Sequence, residues 1–333
     1  MAVIDTHAHV SPERFKRAVK TEGTWYGLGP AAGELHLGGF DQPLEVRLAE
    51  MDAWGVDMQV LTPNVGFYQY TNDLDVTIKV AQGCNDEIAE MVADHPTRFS
   101  GMGTLPMQDV PSAIAELERV MGLGLKGVMV NDHAAGRTYD EPEFRPFFAA
   151  AEAADAVVFF HQGGGTCADT RIKRYKLGNS VGNLAERALV FGALVFGGVL
   201  DRYPDLKPFL AHAGGATTFA IVRMDKAAGA LDPRGPGGEL VPPFGPQPDD
   251  LYALGTPPSD YLTRFWYDCC TYSGPILRFV IDTVGIDRVV LGTDYPAPMV
   301  LADAVHWVMD LPELSRFEKE AILSTNPAAL FGL

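Results

Sequence analysis

Four of the eight histidines in the 333-residue chain stand in equivalent places, at or just beyond the end of a short apolar run. His7 and His9 are two residues apart, so their imidazoles point the same way along an extended chain and can converge on one point. His161 and His212 each close an apolar run, and each precedes a glycine-rich turn. Neutral imidazoles are preferred ligands of zinc and similar divalent ions. This spacing predicts a polar centre assembled from several strand ends.

A carboxylate stands in the same position as these histidines. Asp294 closes the apolar run that begins at Val289, and a Tyr-Pro turn follows it. Three imidazoles and one carboxylate suit one divalent ion, with zinc expected first and manganese, cobalt or iron as alternatives. A single histidine in such a place is often only a hydrogen-bonded structural residue. A structural role would have to arise independently at four equivalent positions, so we interpret the group as a metal site.

The segments that must position these residues alternate between two types. The predicted strands are short apolar runs, at residues 3–7, 58–64, 99–105, 127–131, 156–161, 207–212, 265–268 and 288–294. The predicted helices show helical periodicity, at residues 44–54, 76–94, 112–121, 143–154, 184–200 and 276–284. Strands that are apolar throughout are typical of a parallel sheet covered on both faces. Eight such units predict an α/β fold, a distorted (β/α)8 TIM barrel that spans residues 1–333 as one domain.

The barrel prediction agrees with the placement of the histidines, because barrels carry their chemistry at the C-terminal ends of the strands. The alternative is an open doubly wound sheet, but the glycine-rich turn typical of that fold does not follow the first strand. Two insertions interrupt the alternation. The first covers residues 11–42, after strand one. The second covers residues 232–258, before strand seven, and holds eight prolines and five glycines. We expect irregular loops that cover the site or form an interface, or else simple surface padding.

Composition excludes several classes of protein. The formal net charge of −17 argues against nucleic acid and anionic membranes as partners, since both require clustered basic residues. A hydrophobic content of 47% argues against intrinsic disorder. No stretch is long and apolar enough for a membrane span, and the first residues lack the pattern of a signal peptide. The four cysteines form no Cys-x-x-Cys pair, so we expect reduced thiols and a cytoplasmic protein.

Four motifs give the chain a recognisable family resemblance. They are IDTHAH at residues 4–9, GTLPMQ at 103–108, FLAHAGG at 209–215 and LGTDYP at 291–296. Together they resemble the amidohydrolase superfamily, and within it the decarboxylase-rich branch typified by 2-amino-3-carboxymuconate 6-semialdehyde decarboxylase. The resemblance runs over nearly the whole chain, from residue 2 to residue 333.

The resemblance implies a role for each of the strand-end residues. His7, His9, His161 and Asp294 would hold one divalent metal, and His212 would be the catalytic acid or base beside it. Two-metal members of the superfamily carry a carboxylated lysine at the end of strand four. Here Val130-Asn131 ends that strand, so a single metal is expected. We also expect Asp294, between the metal and His212, to carry a proton.

Substrate contacts follow partly from the resemblance and partly from position. Arg223 matches an arginine that the family's decarboxylase donates to the neighbouring subunit to bind a substrate carboxylate, which implies a homodimer. A second arginine is expected in the first insertion, where this chain has Leu35-His36-Leu37-Gly38, and His36 is a candidate substitute.

Four further residues are candidates from position alone. Asn64 and Asn131 end strands two and four, and either could contact substrate or simply cap its strand. Trp25 and Phe67 lie in the loops after strands one and two, where they could sandwich a planar substrate or anchor the loops.

These features predict an enzyme with a small carboxylic acid as its partner. The first hypothesis is a metal-dependent, non-oxidative decarboxylase, a carbon–carbon lyase. Its substrate would be an unsaturated or aromatic acid of the aminocarboxymuconate semialdehyde or hydroxybenzoate type. The alternative is a metal-dependent hydrolase or hydratase of a related ring, amide or lactone, which would use the same residues. A non-catalytic barrel is a third possibility, but it would not need all five polar groups.

Overall fold

The structure is a computed structural model that describes residues 2–172, 174–244 and 252–333. Part of the predicted loop at residues 232–258 therefore lies outside the described residues. The strands are β1 (Ile4–Val10), β2 (Met58–Pro63), β3 (Phe99–Gly101), β4 (Gly103–Thr104), β5 (Gly127–Val130), β6 (Val157–Phe160), β7 (Lys207–Leu210), β8 (Trp266–Asp268) and β9 (Val289–Val290). Helices follow most of them, which confirms the α/β alternation.

The strands pair in parallel and in chain order. They form a three-stranded sheet, β1-β2-β3, and a six-stranded sheet that runs from β4 to β9. Backbone hydrogen bonds outside the regular strand pairing join the two sheets at both seams. The Met102 N–H donates to the Leu61 carbonyl at 2.8 Å, and the Thr6 N–H donates to the Leu291 carbonyl at 2.9 Å. In the described residues, regular strand pairing is therefore interrupted between β3 and β4 and between β9 and β1, and these two interruptions distort the barrel.

The helices are α1 (Glu13–Glu22), α2 (Leu44–Trp54), α3 (Leu74–Asp94), α4 (Val110–Gly122), α5 (Arg145–Ala153), α6 (Asn183–Phe196), α7 (Val199–Arg202), α8 (Thr217–Ala227), α9 (Gly274–Val284), α10 (Ala304–Asp310), α11 (Arg316–Glu320) and α12 (Asn326–Phe331). Helix α4 illustrates how the sequence specifies them. The Asp109 side chain caps its first turn by accepting from the Ser112 N–H, and Leu117 and Val120 bury one face.

The boundaries differ from the sequence prediction at informative places. Strand β1 continues to Val10, so His9 lies inside it rather than beyond its end. The predicted strand at 99–105 is divided at Met102, whose N–H donates to the Leu61 carbonyl of β2. The predicted helix at 184–200 is divided at Gly197 and Gly198, because Gly198 adopts a left-handed φ of 66°.

The first insertion contains a helix that its pattern does not reveal. Helix α1 is polar apart from a narrow stripe in which Phe15 is buried and Ala18 and Val19, three and four residues later, are partly buried. Phe15 belongs to a second apolar cluster, separate from the main core, formed by Phe15, Trp25, Leu28, Phe67, Val80 and Cys84. The cluster ties the insertion to α3 and to the loop after β2. Among the described residues, every helix is too short or too polar to cross a membrane.

Candidate metal centre and active site

Two side chains of β1 and one from the turn after β9 meet at one buried point. The Nε2 atoms of His7 and His9 lie 3.1 Å apart. Asp294 Oδ1 lies 3.1 Å from His9 Nε2 and 3.4 Å from His7 Nε2. His161 Nε2 is 3.9 Å from the same oxygen. Neighbouring ligand atoms that each lie about 2.0–2.2 Å from one metal ion are roughly 3.0–3.5 Å apart. The separations among His7, His9 and Asp294 fit a shared ion, and His161 Nε2 lies slightly farther from Asp294.

The ring tautomers of β1 also fit a metal. His7 Nδ1 is 2.8 Å from Asp268 Oδ2, and a carboxylate accepts, so the proton of His7 is on Nδ1. His9 Nδ1 is 2.8 Å from Thr62 Oγ1, whose own hydrogen goes to the Ala8 carbonyl at 3.1 Å, so His9 also donates from Nδ1. Both Nε2 atoms therefore present lone pairs to each other. Two facing lone pairs cannot form a hydrogen bond, but they can bind one cation.

Asp268 is buried at the end of β8 and accepts four hydrogen bonds. Its Oδ2 accepts from His7 and from the His212 N–H, and its Oδ1 accepts from the N–H groups of Ala213 and Cys270. Burial raises the pKa of Asp268, but the His7 bond and the backbone donors outweigh burial and hold that pKa below its ordinary value. Asp268 is thus ionised and fixes His7. The sequence marks it only as a polar strand end.

The protonation states in the centre are those that a metal requires. Burial lowers the pKa of His7, and burial with the neighbouring imidazoles lowers the pKa of His161 well below 6.5. Burial alone would raise the pKa of Asp294, but His7, His212 and His9 hold it well below its ordinary value. Both ring nitrogens of His161 are buried and find no hydrogen-bond partner among the described residues. An unpartnered imidazole beside a carboxylate is free to bind a cation.

The backbone places His212 and Asp294 at sharp turns after their strands. His212 has a φ of 56° and Asp294 a φ of 61°, conformations that non-glycine residues adopt at a cost. The Asp294 N–H donates to the His7 carbonyl at 2.9 Å, and the His9 N–H donates to the Tyr295 carbonyl at 2.6 Å. Asp294 is thereby fixed against β1. Its second oxygen, Oδ2, lies 3.5 Å from His212 Nε2.

A cavity of about 340 Å³ opens onto this centre. His9, His161, His212 and Asp294 form part of its wall. The other wall residues come from the first insertion, from the loops after β2, β6 and β9, and from the start of α6; they are Glu34, Phe40, Asn64, Val65, Gln162, Gly163, Gly164, Thr166, Asp169, Lys176, Gly178, Asn179, Asn183, Ala297 and Pro298. The volume is sufficient for a single substituted ring.

The predicted substrate residues fall in different places. Asn64 lines the cavity. Asn131 is buried beneath the glycine turn, where its Oδ1 accepts from the Gly163 N–H at 2.8 Å. Trp25 and Phe67 do not sandwich the cavity, because their rings pack edge to face with each other in the second apolar cluster. They anchor the loops.

The remaining two candidates do not line this cavity either. His36 is exposed on a short 3-10 turn at Leu35–Leu37. Arg223 is exposed on α8. A residue that sequence reasoning missed, Glu34, lines the cavity two positions before His36. A charged residue in a glycine-rich loop gives no sequence signal of such a role.

Comparison with known proteins gives concordant relatives. The family model described as Amidohydrolase matches residues 4–333. The 2-amino-3-carboxymuconate-6-semialdehyde decarboxylase of Dictyostelium discoideum is 31% identical over 348 residues, which cover 99% of this chain and 91% of that protein.

Two solved structures resemble the whole chain. The crystal structure of 5-carboxyvanillate decarboxylase from Sphingomonas paucimobilis has a TM-score of 0.83 and 29% identity, covering 100% of this chain and 99% of that one. A dihydroxybenzoic acid decarboxylase from Polaromonas sp. JS666, solved with bound manganese and the inhibitor 2-nitroresorcinol, has a TM-score of 0.81 and 25% identity, covering 100% and 97%.

Proposed function

The chain belongs to the amidohydrolase family, and we propose that it is a metal-dependent, non-oxidative decarboxylase of a small unsaturated or aromatic carboxylic acid. One observation carries the proposal: two lone-pair Nε2 atoms, the unpartnered His161 and the Asp294 carboxylate converge within 3.1–3.9 Å beside a ring-sized cavity. The decarboxylases to which the chain is similar support the choice of reaction.

We propose His7, His9, His161 and Asp294 as the ligands of one divalent ion. The imidazole-rich set favours zinc, and manganese is the main alternative because a similar structure was solved with it. When bound, such an ion supplies Lewis acidity and a stabilising positive charge at the reacting end of the cavity. Asp268 and Thr62 would keep the His7 and His9 lone pairs directed at it.

His212 and Asp294 would manage the proton. Loss of CO₂ leaves an electron pair on the substrate carbon, and a proton must be delivered to that carbon. His212 Nε2 lies 3.5 Å from Asp294 Oδ2 and faces the cavity, so these two groups can exchange a proton beside the substrate. The Asp268 carboxylate receives the His212 N–H at 2.8 Å and thereby fixes the backbone that carries the ring.

We propose that Arg223 acts across a homodimer. It is exposed on α8 and does not line the cavity of its own chain, while Phe219 beside it is 86% exposed and Val222 is 61% exposed. An apolar helix face of this kind is suited to burial against a second copy. Its guanidinium would then bind the substrate carboxylate in the neighbouring chain, since its planar fork matches a carboxylate. The free thiols support our further proposal of a cytoplasmic location.

The test combines metal content with the product formed. The protein is reconstituted with zinc or manganese, and CO₂ release is measured from 2,6-dihydroxybenzoate, 5-carboxyvanillate and 2-amino-3-carboxymuconate 6-semialdehyde. We expect about one metal per chain and CO₂ from at least one acid. His212→Ala should retain the metal and lose turnover, whereas His306→Ala, at an exposed histidine paired with Asp303, should retain both. Metal without CO₂, but with addition of water to a substrate, would replace the proposal with a hydrolase or hydratase.

A further inference from the structure

The cavity beside the proposed metal ligands has a carboxylate on its wall that the proposed chemistry does not use. Glu34 lines the cavity, and its Oε2 accepts from Asn64 Nδ2 at 3.1 Å. Resting on the proposed function, we propose that Glu34 determines substrate specificity. It would select an acid whose single carboxylate binds at the metal end and whose second substituent is a hydroxyl or amino donor, and it would exclude a second carboxylate.

The loop around Glu34 is held in place from both sides. The Ser11 side chain donates to the Gly33 carbonyl at 2.7 Å. Ala32 packs so closely on the next loop that a Cβ at Gly66 would lie 1.9 Å from the Ala32 carbonyl oxygen. Glu34 itself adopts a φ of 50°, a conformation that non-glycine residues retain only when their surroundings impose it. These contacts hold the Glu34 backbone in a defined position on the cavity wall, unlike the backbone of a solvated loop tip.

The orientation of Asn64 makes Glu34 an acceptor on the cavity wall. Asn64 Oδ1 accepts from the Gly66 N–H at 2.8 Å, which fixes the amide so that Nδ2 must donate to Glu34. A carboxylate has about four acceptor positions, and in the described part of the chain only Asn64 fills one of them. The open positions can accept from a hydroxyl or amino group of a bound molecule.

The other charges on the wall strengthen this selection. Asp169 also lines the cavity, but its Oδ2 already accepts from the Thr166 N–H at 3.0 Å and from the Thr166 hydroxyl at 2.9 Å. Lys176 is the one lysine or arginine among the described wall residues, against three carboxylates with Asp294 included. A second substrate carboxylate near Glu34 would therefore meet like charge, whereas a donor would make a charge-assisted hydrogen bond.

The test measures binding, so it does not depend on turnover. Isothermal titration of the metal-loaded protein compares 2-, 3- and 4-hydroxybenzoate with the three matching methoxybenzoates and with benzene-1,3-dicarboxylate. The methoxy compounds retain the oxygen and remove only the donor. We expect one hydroxy acid to bind about tenfold to a hundredfold more tightly than its methoxy partner, with the dicarboxylate the weakest ligand.

The variant Glu34→Gln should reduce the hydroxy-over-methoxy ratio by at least about tenfold and strengthen binding of the dicarboxylate. The amide oxygen of Glu34→Gln could still accept a hydrogen bond from the ligand, so Glu34→Ala, which has no acceptor, is measured in the same way. Glu22→Gln, at an exposed position on α1, is the matched control and should leave all ratios unchanged. Wild-type binding of the dicarboxylate as tight as that of the best hydroxy acid, or unchanged ratios in both Glu34 variants, would overturn the inference. CO₂ release from the wild type is recorded separately, so a failed inference can be distinguished from a failed function.

Discussion

Replacing Asp268 by Asn tests whether a residue outside the ligand set fixes the metal site. Asp268 accepts from His7, His212, Ala213 and Cys270, and an amide of the same shape can accept on one side only. If its NH₂ faces the Ala213 and Cys270 N–H groups, two backbone donors lose their acceptor. In the opposite orientation the NH₂ faces His7 and His212, and only the His212 N–H loses its acceptor, so this orientation is favoured. It also makes His7 Nδ1 accept, which moves the proton of His7 to Nε2.

The magnitude follows from two independent considerations. A hydrogen bond to a charged acceptor contributes about 1.5–3 kcal/mol, and His7 donates such a bond at 2.8 Å. Because each 1.4 kcal/mol is a factor of ten, replacing this charged acceptor should weaken metal binding about tenfold to a hundredfold. Substitution of groups that orient metal ligands has effects in the same range. The unpaired His212 N–H should also lower the free energy of unfolding by about 1–3 kcal/mol.

The assay is competition for zinc and for manganese against a chromogenic chelator at pH 7.5, with urea unfolding of the same samples. Asp287→Asn is the matched control, because Asp287 is exposed and 19 residues along the chain. Its metal dissociation constant should equal that of the wild type. A folded Asp268→Asn protein with wild-type metal affinity would refute the argument that Asp268 sets the tautomer of His7.

Three further predictions test other parts of the site. Thr62→Val removes the acceptor of the His9 Nδ1 proton, so chelator competition should show metal affinity about tenfold lower, and equal affinity would contradict the tautomer argument. Arg223→Ala should raise KM for an acidic substrate about tenfold or more, and in hybrid dimers the defect should appear in the neighbouring chain's site; normal kinetics would exclude this role. Because burial lowers the pKa of His161 well below 6.5, below that pH the unfolded chain binds a proton that the native protein does not, so metal-free stability should fall as the pH falls. Burial also raises the pKa of Asp5 to about 6, which makes stability rise as the pH falls, but this effect is the same in the wild type and in His161→Gln. The urea midpoint of His161→Gln should therefore decline less steeply than that of the wild type between pH 7.5 and 5.5, and identical declines would contradict the prediction.

The convergence of His7, His9, His161 and Asp294, the proposed ligands, could be predicted because parallel strands bring their carboxyl ends to one edge. The partners of the ligands could not. His7 and Asp268 are 261 residues apart, and His9 and Thr62 are 53 residues apart. Their pairing depends on the strand register, which sets His9 opposite Thr62. A polar residue at a strand end carries no sequence mark of the atom that it will contact.

The insertion shows a second limit of sequence reasoning. Its glycines predict an irregular loop, yet it contains α1, a polar helix whose apolar stripe is limited to Phe15, Ala18 and Val19. Glu34 has an equally weak signal, because contacts from Ser11 and from the loop at Gly66 fix its position. The aromatic residues suggest a ligand contact by their type, but their packing partners cannot be predicted from the sequence. Trp25 and Phe67 suit a planar ligand by type, but burying their rings against each other stabilises the loop.

The site therefore divides into two parts that can change independently. The metal end is fixed by strand-to-strand contacts: His7 bonds to β8 and His9 to β2, and buried Arg47 donates to the His9 carbonyl at 2.5 Å. The rest of the wall comes mainly from the first insertion and from loops after the strands, and in the described residues the Glu34 side chain bonds to Asn64 rather than to a proposed metal ligand. Substitutions at Glu34 should consequently alter which acid binds without loss of the metal, whereas substitutions under β1 should lose the metal for every acid. This separation explains physically how one barrel can retain its chemistry while its loops change the substrate.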